Sequence, residues 1–127
     1  MTAVERLVRE YFRCANEEDW DAMADVWWED SVLIGVGGSP RHGRSDIVDG
    51  YRRFMSYWLE HHDEPGRILV CGDVATVEVH FTGVNRAGRR CEFDAVDVID
   101  TEDGRIRRLT NWFDSGVVGP MLRESPA

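Results

Sequence analysis

The chain has 127 residues, 43% hydrophobic and 31% charged, the length of one domain with enough apolar side chains for a packed core. Its formal charge of −9 repels phosphate backbones and anionic lipid surfaces, which argues against nucleic acid and membrane as partners. Cys14, Cys71 and Cys91 form no CxxC pair, so neither a zinc site nor a disulfide framework is expected; with no long apolar run present, a cytoplasmic protein is expected.

In chain order, Val4, Leu7, Val8, Tyr11, Phe12 and Ala15 form one apolar stripe at helical spacing. Asp19 is a suitable N-cap for a second, short helix carrying Trp20, Met23, Val26 and Trp27. Ser31 to Val36 reads as a strand, and the Gly-, Ser- and Pro-containing segment Gly37 to Gly43 as a loop. A third helix begins at Arg44 or Ser45, with Ile47, Tyr51, Phe54, Trp58 and Leu59 on one face and His61 and His62 at its end. After a turn at Pro65-Gly66 the period changes to two, with strands at Arg67 to Cys71, Val74 to Val84, Arg90 to Asp100 and Arg105 to Asp114. Helices first and an antiparallel meander after predict an α+β fold with three helices covering a curved sheet. His61, His62 and Asp63 do not suggest a metal site, and no metal or cofactor is expected.

The segments YFRCANEEDWDAMADVWWED, from Tyr11, and GGSPRHG resemble the N-terminal half of bacterial ketosteroid isomerases, within the nuclear transport factor 2-like, or SnoaL-like, superfamily. FDAVDVIDTEDGRIRRLTNWFD resembles the last hairpin of that superfamily, which includes limonene-epoxide hydrolases and polyketide cyclases. The resemblance covers nearly the whole chain as a single domain. It implies a cone of helices and curved sheet around a mostly apolar pocket, with function residing in the few polar groups that enter it.

The isomerases' hydrogen-bond-donating tyrosine falls on Tyr11, whose other reading is a core tyrosine bonded to backbone. Their first-strand aspartate base falls on Gly35, which cannot take a proton. The last two strands can be registered so that Ile99 faces Ile106, Asp97 Arg108, Ala95 Thr110 and Phe93 Trp112. The opposite face then pairs Val96 with Leu109 and Asp94 with Asn111, and the isomerase match turns that face inward. Asp94 becomes the expected acid–base group, its pKa raised by apolar surroundings, against the alternative of a solvated strand aspartate. Asn111 stands where limonene-epoxide hydrolases carry their base aspartate; an amide orients a water or carbonyl but removes no proton.

His80 lies among the polar alternates Thr76, Glu78 and Thr82, whereas Val77, Val79 and Phe81 belong to the core side, which puts His80 outside. Epoxide hydrolases send polar residues inward from this strand, which keeps His80 as a third catalytic candidate. The expected pocket lining is Asn111 with Trp27, Phe54, Trp58, Phe81, Val96, Leu109 and Phe113. Phe93, Ala95, Ile99, Ile106 and Trp112 would then form an apolar outer face, for which a homodimer contact is expected. The expectation is a cofactor-independent acid–base enzyme on a small, largely apolar molecule, of isomerase, cyclase or dehydratase type. The alternatives are a non-catalytic small-molecule-binding domain and an epoxide hydrolase with Asp94 or His80 as an atypical base.

Overall fold

The computed structural model describes residues 1–124 as α1 (Ala3–Glu17), α2 (Trp20–Asp25), β1 (Trp27–Gly35), β2 (Arg41–His42), α3 (Arg44–Met55), β3 (Trp58–Cys71), β4 (Val74–Asn85), β5 (Arg90–Glu102), β6 (Arg105–Phe113) and α4 (Ser115–Arg123). Thr2 caps α1 by accepting from the Glu5 amide, and the predicted stripe buries Val8, Tyr11, Phe12 and Ala15. Asp19 caps α2 by accepting from the Ala22 amide at 3.2 Å. Trp27, expected in that helix, instead opens β1 and is fully buried. α4 was not expected: Asp114 caps it, and its short run of Gly and Val carries little helical signal.

The six strands form one curved, unclosed sheet in the order β2-β1-β6-β5-β4-β3, antiparallel except where β1 runs parallel to β6. α1, α2 and α3 lie against its inner face, where Val8, Met23, Ile47, Val77 and Ile99 close the core. The expected third helix stops at Met55, and Trp58 onward is strand, paired with β4 from Trp58↔Asn85 to Cys71↔Val74. Pro65 does not end it. β3 is an edge strand, where a missing amide costs no ladder bond, and the register shifts between Pro65 and Ile68. His61, Asp63 and Pro65 therefore turn toward the helices, and His62 and Glu64 away.

The hairpin β5–β6 overturns the expected register. Asp103 and Gly104 both take positive φ, 47° and 81°, in a two-residue turn. A bulge then leaves Arg107 unpaired, so that Asp97 lies opposite Asn111 and Ile99 opposite Leu109. One face of β5 is thus Cys91, Phe93, Ala95, Asp97 and Ile99, turned inward; Asp94 and Val96 face outward. Phe93, Ala95, Ile99 and Ile106 belong to the core, so they form no outer apolar face, and of that set only Trp112 is exposed. The composition on which the homodimer contact was argued is therefore absent from the outer surface.

Candidate active site

Between the helices and the inner sheet face lies a cavity of about 610 Å³, within the size range of small-molecule sites. Its walls are largely aromatic, from Phe12 on α1, Phe54 on α3, and Phe81, Phe93 and Phe113 on β4, β5 and β6. α4 adds Val118 and Leu122, and the loop after β1 adds Val36, Gly38, Ser39 and Pro40. Into this apolar space project Tyr11, Tyr51, Asp63, Asp97 and Asn111.

Tyr11 and Tyr51 meet across the helices with hydroxyl oxygens 2.5 Å apart. Burial, reinforced by the neighbouring Asp97 and Asp63 carboxylates, pushes both phenols above their usual range, so both stay protonated. One O–H satisfies the other tyrosine, and the second proton of the pair remains available to an acceptor in the cavity. Trp27 supports the pair from beneath, its ring 6.1 Å from Tyr11 and 6.3 Å from Tyr51.

Asp97 is 3% exposed and accepts a 2.5 Å hydrogen bond from Asn111 Nδ2, its cross-strand partner. Burial pushes its carboxyl up to about 7; the Asn111 bond opposes the shift and the Asp63 charge adds to it. Asp63 is pushed up to about 6 by burial, with His61 and His62 pulling the other way. It lines the cavity, and among the described residues no hydrogen-bond donor reaches its carboxyl group. The Asp63 charge is the smallest of the influences on Asp97, so the two acids titrate in sequence around neutrality, Asp63 first.

Asp63 is held from behind. Asn16 at the end of α1 accepts from the Asp63 amide at 2.8 Å and donates to its carbonyl at 2.9 Å, pairing with the open edge of β3 as another strand would. Asn16→Ala is expected to cost about 1–3 kcal/mol in urea unfolding, because two part-buried backbone groups lose their partners. A stability change within about 0.5 kcal/mol would show that water replaces the amide without loss.

Of the residues singled out from the sequence, Tyr11, Phe54, Phe81, Asn111 and Phe113 line the cavity. Trp27, Trp58 and Leu109 are buried behind the wall: Trp58 packs on Phe81 at 4.7 Å and Leu109 is fully enclosed. Asp94 and His80 are not in the cavity. They pair with each other at 2.7 Å on the outer sheet face, where the Asp94 side chain is 87% exposed and Glu92 also reaches His80. Val96 shares that face, because the register moves every even-numbered residue of this stretch of β5 outward. Asp97 and Asp63 are the acids that the sheet carries into the cavity. Among the described residues no cluster of three or more His, Cys, Asp or Glu is arranged to hold a metal ion, and no helix is long and apolar enough to cross a membrane.

Comparison with known proteins agrees with this architecture. An NTF2-like protein of unknown function from Burkholderia pseudomallei K96243 superposes with a TM-score of 0.90 at 18% identity, over 98% of this chain and 100% of that one. An LEH-like epoxide hydrolase from M. tuberculosis gives 0.80 at 24% identity, over 95% and 90% of the two chains. The epoxide hydrolase/cyclase-like enzyme SalBIII, of pyran ring formation in the polyether salinomycin, gives 0.80 at 26% identity, over 90% and 92%. No curated protein matches the chain by sequence. The model of the SnoaL-like domain matches residues 8–109, from the first helix through Leu109 behind the cavity wall, and the chain belongs to the SnoaL-like domain family.

Proposed function

We propose that the cavity is the active site of a cofactor-independent acid–base enzyme acting on a small, largely apolar molecule, by isomerisation, cyclisation or dehydration. The observation that carries this reading is the convergence of two carboxyl groups, Asp63 and Asp97, with the Tyr11–Tyr51 pair on one apolar cavity. Asp63, the lower of the two at about 6, is the base at neutral pH; Asp97, at about 7, keeps its proton longer and is the acid. The tyrosine pair donates to the oxygen on which negative charge develops, where low dielectric strengthens the bond. Asn111, oriented by Asp97, positions the substrate.

The test uses nitrobenzisoxazole, an apolar probe: a base takes its ring C–H proton, the N–O bond breaks, and a coloured phenolate nitrile forms. Turnover is expected to rise through about pH 6 as Asp63 ionises and to fall above about pH 7 as Asp97 gives up its proton. Tyr11→Phe is expected to slow it by about 100-fold, as one donor to developing oxyanion charge is lost. Binding without turnover at any pH supports a non-catalytic binding domain instead.

A second reading, epoxide opening by water, is favoured by the Asp97–Asn111 pair, since Asp97 holds the amide nitrogen and the Asn111 carbonyl oxygen is left to orient a water. SalBIII and the M. tuberculosis protein lend it support as fold relatives. Styrene oxide in labelled water distinguishes it, and absence of labelled diol rejects it.

A further inference from the structure

We infer that Gly35 sets the shape of substrate the cavity admits, by leaving a side-chain-sized recess beside the Asp97–Asn111 pair for a bulky group next to the reacting centre. The inference rests on the acid–base reading of the cavity and adds to it which part of the substrate is recognised there. Gly35 ends β1 and lies opposite Asn111 in the parallel register with β6. On the same side of β1, Ser31 is buried and bonded to the Ile106 carbonyl, and Leu33 lines the cavity, so strand alternation aims position 35 at the cavity as well.

Nothing local requires a glycine there. Its φ is not in the left-handed region, unlike that of Gly37 or Gly43, and any L residue could adopt it. Nor is it needed for close approach. A Cβ at Gly50 would meet Arg41 Nε at 2.7 Å and one at Gly83 the Glu60 carbonyl at 2.7 Å, but a Cβ at Gly35 would meet no heavy atom within 4 Å. The side chain is thus missing from the cavity wall and from nowhere else. Interiors are close-packed, so a gap of this kind beside polar groups fits an occupant that supplies the missing atoms. A substrate anchored by an oxygen at the tyrosine pair would seat its neighbouring substituent in the recess. A substituent on the far side of the molecule would run along the aromatic walls, out of its reach.

Two phenols of equal size separate these directions: ortho-phenylphenol, whose second ring adjoins the hydroxyl, and para-phenylphenol, whose second ring points away. Each is titrated calorimetrically into the full chain and into Gly35→Leu, Gly35→Ala and Tyr11→Phe. The wild-type protein is expected to bind both, and Tyr11→Phe to weaken both, as the hydroxyl loses its anchor. Gly35→Leu is expected to weaken ortho-phenylphenol by about tenfold or more while changing para-phenylphenol less than about twofold, the discrimination a few methylenes supply in a hydrophobic pocket. Gly35→Ala serves if the leucine variant does not fold, with a shift in the same ratio of about threefold. Equal weakening of both phenols, or of neither, by the Gly35 variants overturns the role of Gly35 and leaves the cavity assignment standing. Failure of the wild type to bind either phenol, or indifference of both to Tyr11→Phe, overturns the cavity assignment and the inference with it.

Discussion

Asp63→Asn is expected to lower turnover of nitrobenzisoxazole by about 10²- to 10⁴-fold, the range supplied by a positioned general base. The amide keeps the size and the Asn16 latch on the backbone, so the fold is retained and the loss is chemical. Removing the charge at position 63 also has a second, diagnostic effect. Burial is the main reason Asp97 is raised and the Asp63 charge a smaller one, so Asp97 in the variant should titrate somewhat below about 7 and still well above 3.8. The residual activity should then follow the Asp97 ionisation alone, where the wild type follows both acids. Asp94→Asn is the control: it removes a carboxylate of β5 that lies on the outer face beside His80, and turnover should not change. Wild-type turnover by Asp63→Asn, or a loss in Asp94→Asn equal to it, would remove Asp63 from the mechanism.

Which parts of this arrangement can be read from the sequence follows from where the decisive interactions lie. The α1 stripe and the Asp19 cap are local, so helical period and capping chemistry locate them, and Tyr11 comes with the stripe. Asp97 was within reach of the same reasoning. It is the one ionisable residue among the alternates Phe93, Ala95 and Ile99, and the rule that placed His80 outside, apolar alternates inward, places Asp97 in the core. Cross-strand pairing pointed the other way because the ladder depends on the Asp103-Gly104 turn and on the bulge at Arg107, which shift register without altering composition. Asp63 carried less signal. Trp58, Leu59, His61 and His62 continue a helical period from α3, and only pairing with β4 at the far end of a long hairpin, where Asp63 lies opposite Phe81, makes them strand and turns Asp63 into the cavity. Tyr51 lay on the expected apolar face of α3, yet its bond to Tyr11 spans 40 positions and depends on how two helices cross.

The same buried acids should make the protein lose stability as the solution becomes less acidic. In the unfolded chain Asp97 gives up its proton near 3.8; in the folded protein it holds it to about 7. Between those values the native state binds a proton that the unfolded state does not, so stability falls as pH rises, and the penalty is complete above pH 7. At about 1.4 kcal/mol per pKa unit, the shift of Asp97 corresponds to a loss on the order of 4 kcal/mol, a large part of the roughly 5–15 kcal/mol that holds a typical domain together. Asp63 acts in the same direction up to about pH 6, although the coupling prevents the two contributions from simply adding. Asp97→Asn should abolish the Asp97 share of this slope. An amide has no charge to desolvate and can still bond to Asn111, so the variant should unfold at higher urea than wild type at pH 8 and at nearly the same urea at pH 4. A gain at pH 8 combined with lost turnover is the pattern of a site that keeps strained ionisation for chemistry at the expense of stability. Urea midpoints flat from pH 4 to 8 in the wild type, or a destabilised Asp97→Asn at pH 8, would show that Asp97 is not a buried acid with a raised pKa, and its role as proton donor would fall with that.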